Sequence, residues 1–216
     1  DGNYCPNISN LSANQPDGIT FKTIASTVPL EKYLGESYAN KPDVFTSINS
    51  AFLHDGAFIH NKNRQSPRVI EIVYISTNPS PPTASHPRTM IIAEPESESI
   101  ILECHISLAK TTQLTNSVTE IILNENSNVK YYQLLNQNPE AYQINSTHVL
   151  QKKNSSFSCI SLSKGSSILR NEIKVKLAGE QSNCLLEGLY FTSGSQHIDN
   201  HLMIDHSVPN AKSEIF

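Results

Sequence analysis

Residues 97 to 184 carry one recurring pattern: Ser97-Glu98-Ser99-Ile100, Asn126-Ser127-Asn128-Val129, Asn154-Ser155-Ser156-Phe157 and Gln181-Ser182-Asn183-Cys184. Each is a short polar turn leading into an apolar run. The lead apolar residues fall at 100, 129, 157 and 184, at intervals of 29, 28 and 27. A second series of strand starts, near Ser117, Tyr142, Ser167 and Gln196, is interleaved at intervals of about 25, 25 and 29. A unit of two strands with no helix-length connector cannot bury its apolar face alone, whereas identical units stacked in parallel register can. The pattern predicts an all-β fold, a two-sheeted parallel solenoid; a β-sandwich with similarly spaced strands is the competing reading. Within one strand, Ile168, Arg170, Glu172 and Lys174 alternate with Leu169, Ile173, Val175 and Leu177. Asn171 interrupts the apolar side, so a bend or bulge is expected there.

Working outward, residues 57–59, 69–75, 90–93 and 100–108 are short apolar or alternating runs and read as strands. Pro79, Pro81, Pro82 and Pro87 turn residues 76–88 into a projecting loop. Upstream, Pro6 and Pro16-Asp17-Gly18 break any regular pattern, and only Ile19-Thr20-Phe21 suggests a short strand. Residues 30–38 and 43–53 have helical apolar spacing (Val44, Phe45, Ile48, Phe52), with Pro42 near a helix start. The organisation read from this is a lead-in segment, 1–56, with one or two short helices, followed by a β-helical core, 57–216, in one domain overall.

At 216 residues the chain can bury roughly 70% of its unfolded surface and needs no staples to form a core. It is 38% apolar and 17% charged, and Asn, Ser, Thr and Gln fill the deficit, which argues against a helical bundle. A net charge of −4 gives no basic field for phosphate backbones, which argues against nucleic-acid binding by bulk electrostatics, and no nucleic-acid partner is expected. No run approaches the ~18–20 apolar residues of a membrane span, and Asp1-Gly2-Asn3-Tyr4-Cys5 has no basic-then-apolar leader. The chain reads as soluble, with no membrane partner. Cys5, Cys104, Cys159 and Cys184 form no Cys-x-x-Cys pair, which excludes zinc ribbons and thioredoxin motifs. Cys104 and Cys184 read as small buried hydrophobes.

The richest chemical constellation is residues 196–206. On one strand, His197, Asp199, His201, Met203 and Asp205 share a face, while Ile198, Leu202 and Ile204 take the other. Histidines four apart on a strand are separated by about 13 Å, too far for one ion. Metal binding by His197, His201 and His206 therefore needs a bend at Asn200 or a ligand from a neighbouring coil. The alternatives are a polar ladder on an exposed sheet or a subunit interface. Nucleophile-elbow, phosphate-loop and dinucleotide motifs are absent. A β-helical carbohydrate lyase or hydrolase would need carboxylates roughly 5–9.5 Å apart or an acidic calcium set. Asp199 and Asp205 do not make one convincingly, and Glu94, Glu96 and Glu98 read as a solvated charge run.

Several stretches together carry a family resemblance. They are Phe45-Thr46-Ser47-Ile48-Asn49-Ser50-Ala51-Phe52 with Asp55-Gly56-Ala57-Phe58-Ile59, then Ser85-His86-Pro87-Arg88 and Thr115-Asn116-Ser117-Val118-Thr119-Glu120. Leu169-Arg170-Asn171, Glu187-Gly188-Leu189-Tyr190, and Gln196-His197-Ile198-Asp199-Asn200-His201 through Asp205-His206 complete them. In this order the chain resembles the SufB/SufD family of the SUF iron–sulfur cluster assembly system, on its SufD side. The resemblance implies a right-handed parallel β-helix and a non-enzymatic scaffold that pairs with SufB. In full-length form the family also contacts the SufC ATPase through a C-terminal region absent from this sequence. No tightly bound cofactor is implied, with iron or an iron–sulfur cluster passing transiently through the complex. The family's helical ends and its Cys-Ser-His-Gly type motif have no counterpart here, and Asn210-Ala211 stands where relatives often carry His-Cys. The histidines carry over only as family-like positions. Bacterial cytoplasm is the expected location, plastid stroma the alternative. Open strand edges at the last coil lead to an expectation of a homodimer of the isolated chain.

Overall fold

The computed structural model describes residues 3–10, 18–26, 32–38, 42–62, 69–77, 82–108 and 110–216. Its elements are β1 (Ile19–Thr23), α1 (Val44–Ala51), β2 (Gly56–Asn61), β3 (Val69–Ser76), β4 (Ala84–Ser85), β5 (Arg88–Ala93) and β6 (Glu98–Ser107). They continue with β7 (Leu114–Leu123), β8 (Asn128–Gln137), β9 (Tyr142–Gln151), β10 (Ser156–Gly165), β11 (Ile168–Leu177), β12 (Asn183–Phe191), β13 (His197–His206) and β14 (Lys212–Ile215). From β5 onward, successive strands alternate between two sheets. Sheet I has the order β1-β2-β5-β7-β9-β11-β13, with β4 beside β7; sheet II has the order β3-β6-β8-β10-β12-β14. Among the described strands only β1 runs antiparallel, against β2. Every other described pairing is parallel, which gives the expected β-solenoid and rules out the sandwich.

The turns set the repeat. Glu96, Asn126, Asn154, Gln181 and Asn210 occupy equivalent corners with φ of 65°, 59°, 55°, 61° and 60°. Asn tolerates this left-handed conformation, because its short polar side chain bonds locally. The side chains stack as well, Asn154 Nδ2 donating to Asn126 Oδ1 at 2.7 Å. Each of the first four corners is followed by a buried serine, Ser97, Ser127, Ser155 and Ser182. The stacking corrects the sequence alignment in two places. Val129, Phe157 and Cys184 are in register, but the partner of Val129 is Ser99 and not Ile100, because the left-handed residue of that turn is Glu96. Likewise Tyr142 stacks on Leu114, so Ser117 lies inside β7 and does not begin it.

Part of the interior is apolar: Val129, Tyr131, Phe157, Cys159, Cys184 and Leu186 of sheet II pack with Ile121, Leu123, Val149, Val175 and Leu177 of sheet I. The rest is polar, and hydrogen bonds run through it. Glu103 accepts from Thr119 Oγ1 at 3.1 Å, Gln133 Nε2 donates to Thr147 Oγ1 at 3.4 Å, and Asn171 Nδ2 donates to Ser161 Oγ at 3.1 Å. The expected bulge at Asn171 does not form. Pairing runs unbroken on both sides of β11, and Asn171 belongs to an internal ladder. Ser117 Oγ donates to Asn145 Oδ1 at 2.6 Å, Asn145 to Asn171 at 3.1 Å, and Asn171 to Asn200 at 3.4 Å. An amide at an inward position is tolerated because the coils above and below present the same group.

The described parts of the lead-in segment pack on the outer face of sheet I. Its strand β1 ends sheet I, and Tyr33, Leu34 and Leu53 pack on Ile24, Phe58, Met90, Ile92 and Ile122. Where residues 30–38 were expected to be helical, the described part holds turns and the 3-10 segment Glu36–Tyr38; residues 30 and 31 lie outside the described residues. α1 starts after the cap Asp43, with Pro42 just ahead of it. Of the expected loop 76–88, residues 78–81 lie outside the described residues, and Ala84–Ser85 pairs with Leu114 and Thr115 as a short strand.

Candidate functional site

α1 is an amphipathic helix laid with its polar side down. Asp43 caps it, accepting from Thr46 N at 2.8 Å and Thr46 Oγ1 at 3.0 Å. The buried residues are Thr46 and Asn49, while Val44 and Phe52 are 64% and 65% exposed. The sheet beneath dictates this orientation, because Asn49 Nδ2 donates to the carbonyls of Pro87 at 3.0 Å and Asn116 at 2.9 Å. Asn116 Nδ2 in turn donates to Phe45 O at 2.9 Å.

Arg88, fully buried, is the centre of this face. Its Nε and Nη2 donate to Glu120 Oε1, Nη1 to Asn49 Oδ1 at 2.9 Å and Ser50 Oγ at 3.1 Å, and Nη2 also to Tyr38 OH at 2.8 Å. All five guanidinium donors are thereby used. Glu120 Oε2 accepts from Gly35 N at 2.9 Å and Ser37 Oγ at 2.7 Å. A buried pair with every lone pair and proton matched fixes a geometry more than it adds stability, and here it ties residues 35–38 and the helix α1 to the sheet.

A line of charges continues from Asp43 toward β13. Lys174 Nζ donates to Asp43 Oδ2 at 3.0 Å and reaches Glu172 Oε2 at 2.9 Å. Glu172 Oε1 lies 3.1 Å from His201 Nδ1, and Arg170 Nη1 donates to Asp199 Oδ2 at 2.5 Å. Burial alone would raise the Asp43 carboxyl, but the Thr46 N–H and the Lys174 ammonium outweigh it and hold it well below the usual range. The Lys174 ammonium is raised: burial opposes the charge, and Glu172 and Asp43 more than compensate. His148, buried beneath Thr46 Oγ1 at 3.0 Å and against the Tyr38 ring, is lowered to about 4 by burial, with Lys174 and Arg88 adding to the effect against the pull of Asp43.

The register places His197, Asp199, His201, Met203 and Asp205 in one outer row of β13, beside Ile168, Arg170, Glu172, Lys174 and Lys176. His206 falls on the opposite side, its Nε2 2.9 Å from Ser213 Oγ. The three sequence-predicted ligands are therefore not brought together. β13 pairs continuously through Asn200 with no bend, and among the described residues no three His, Cys, Asp or Glu side chains group as a metal site. Between β12 and β13 the interior opens as a cavity of about 160 Å³, bordered by Asn171, Asn200, Glu187 and Tyr190. Glu94 is not simply solvated, since His60 Nε2 sits 2.6 Å from its Oε1.

Sequence reasoning did not find Asp43, His148, Glu172 and Lys174 as a group, nor the cluster inside the solenoid. There Glu103 meets His105 Nε2 at 3.0 Å, and the Tyr74 ring stacks on His105. Inward parity with Ile101 was the available signal for Glu103 and His105.

Residues 74–216 match the family described as SUF system FeS cluster assembly, SufBD core domain. Two iron–sulfur cluster assembly SufBD family proteins of Synechocystis are 23% and 27% identical, over 94% and 92% of this chain. The chain spans 48% and 44% of those proteins, about half their length. The iron–sulfur cluster assembly protein SufB of Plasmodium falciparum is 34% identical over 108 residues, covering 50% of this chain and 23% of that protein. The similarity thus extends to both the SufB and the general SufBD groups.

Proposed function

Because the chain belongs to the SufBD core domain family of the SUF iron–sulfur cluster assembly system, we propose that it is a non-enzymatic scaffold subunit of that system, occupying the SufD position beside SufB. The observation that carries this reading is the outer row of β13. It presents His197, Asp199 and His201 in register with Arg170 and Glu172, outside the area that α1 covers. Charged and imidazole side chains held in a fixed row on a rigid sheet, and oriented by their own ion pairs, suit the polar part of a subunit interface. In its longer form the protein also engages the SufC ATPase. Iron or a nascent cluster is cargo of the complex, and His197, His201 and His206 contribute to holding it only together with partner residues, since they do not converge in one subunit. Bacterial cytoplasm is the proposed setting. The carbohydrate-enzyme reading is weaker, because Glu172 and Asp199 are each committed to cations of the same face.

Co-expression of the full-length form with SufB and SufC, affinity capture, and assay of ATPase activity, iron and sulfide tests the proposal. A stable three-component assembly is expected; failure to retain either partner would refute it.

A further inference from the structure

Among the described residues, no helix covers the outer face of sheet II. Helices normally cover parallel sheets on both sides, and their strands then read as apolar on both sides. The second side of sheet II reads so, yet the described lead-in elements pack on sheet I. One row across the strands is Val73, Cys104, Leu134, Leu162 and Leu189. The adjacent row is Glu71, Leu102, Tyr132, Ile160 and Glu187, apolar in the middle with a carboxylate at each end. Val73, Ile160 and Leu189 are 42%, 42% and 57% exposed, so the face is accessible. A contiguous apolar patch of this kind on a folded protein marks an interaction surface.

The two glutamates decide what fits. A second copy packed face to face about a two-fold axis along the strands would set Glu71 against Glu187 of the other copy. An axis across the strands would press the glutamate row onto the apolar row. Both bury unpaired carboxylates, at high cost. A helix crossing the strands meets neither problem if its ends are basic. Five strands at ~4.8 Å span about 19 Å, the length of roughly 13 helical residues. This chain already shows that crossing on sheet I. There α1 and its cap touch Lys174 on β11, His148 on β9, Asn116 on β7 and Arg88 on β5 in turn. We propose that the outer face of sheet II is the docking site for an amphipathic helix of a partner protein, about 13 residues long, apolar along one side and basic at both ends.

Fluorescence anisotropy of the full chain with a labelled 14-residue Leu/Lys peptide, lysines at both ends, tests this against a peptide with Glu for every Lys. Saturable binding of the lysine peptide alone is expected, weakened at least tenfold by Ile160→Lys. The double variant Glu71→Lys/Glu187→Lys, which leaves the apolar rows intact, should weaken it by a similar factor and admit the glutamate peptide. Absence of saturable binding, equal binding of both peptides, or indifference to both variants would overturn the proposal. So would a dimer in sedimentation that Ile160→Lys dissociates, which would assign the face to a second copy.

Discussion

Replacing Arg88 by Met isolates the buried ion pair on which the lead-in segment is seated. Arg88 and Glu120 are both 0% exposed at the side chain, so the variant leaves a carboxylate in the interior with only the Gly35 N–H and the Ser37 hydroxyl as donors. Asn49 Oδ1 and Tyr38 OH lose their donor at the same time. Breaking a buried pair from one side costs about 3–5 kcal/mol, a lowering of Tm by roughly 6 to 20 °C for a domain of this size. Arg88→Met/Glu120→Leu removes both charges together and should recover most of that loss, to within about 1–2 kcal/mol of the parent. Urea unfolding gives the free energies, and hydrogen exchange at Gly35 and Thr46 reports whether residues 35–38 and α1 have come away. A single-variant loss below about 1 kcal/mol, or unchanged exchange at α1, would refute the claim that this pair ties the segment to the sheet.

Other consequences follow from the same geometry. His148 is held neutral, lowered from 6.5 to about 4, so the unfolded chain binds the more protons between those values. Stability should therefore fall as pH drops through that window, by up to roughly 3 kcal/mol; urea midpoints at pH 7 and pH 4.5 should differ less in His148→Gln. A Cβ on Gly165, at φ 76°, would meet Gln137 O at 2.1 Å, whereas at Gly194, φ 61°, it meets open space. Thermal melts should show Gly165→Ala costing at least about 2 kcal/mol and Gly194→Ala about 1. Asn171→Ala removes the middle of the internal amide ladder and should cost about 2–3 kcal/mol in urea, because Asn145 and Ser161 are left partly unpaired.

The repeat was legible because Asn126 and Asn154 are residues that accept the left-handed corner. Where Glu96 fills the same corner, composition carried no such sign, and the alignment slipped by one. Strand parity correctly separated the His197 row from Ile198, Leu202 and Ile204, and it left His206 on the other side. Asn171 looked like a flaw since an inward amide is only sensible once Asn145 and Asn200 are known to stack on it. The network around Arg88 could not be read from spacing at all. It joins Gly35 to Glu120, as the line of charges from Asp43 joins Lys174, Glu172 and His201, and only the stacking of coils brings them together.

A photo-crosslinking residue at position 201, in the assembly reconstituted with SufB and SufC, tests the central claim most directly. Crosslinks from position 201 to SufB, with none from a probe at the exposed end of α1, are predicted. A formed assembly in which position 201 reaches neither partner would contradict the account.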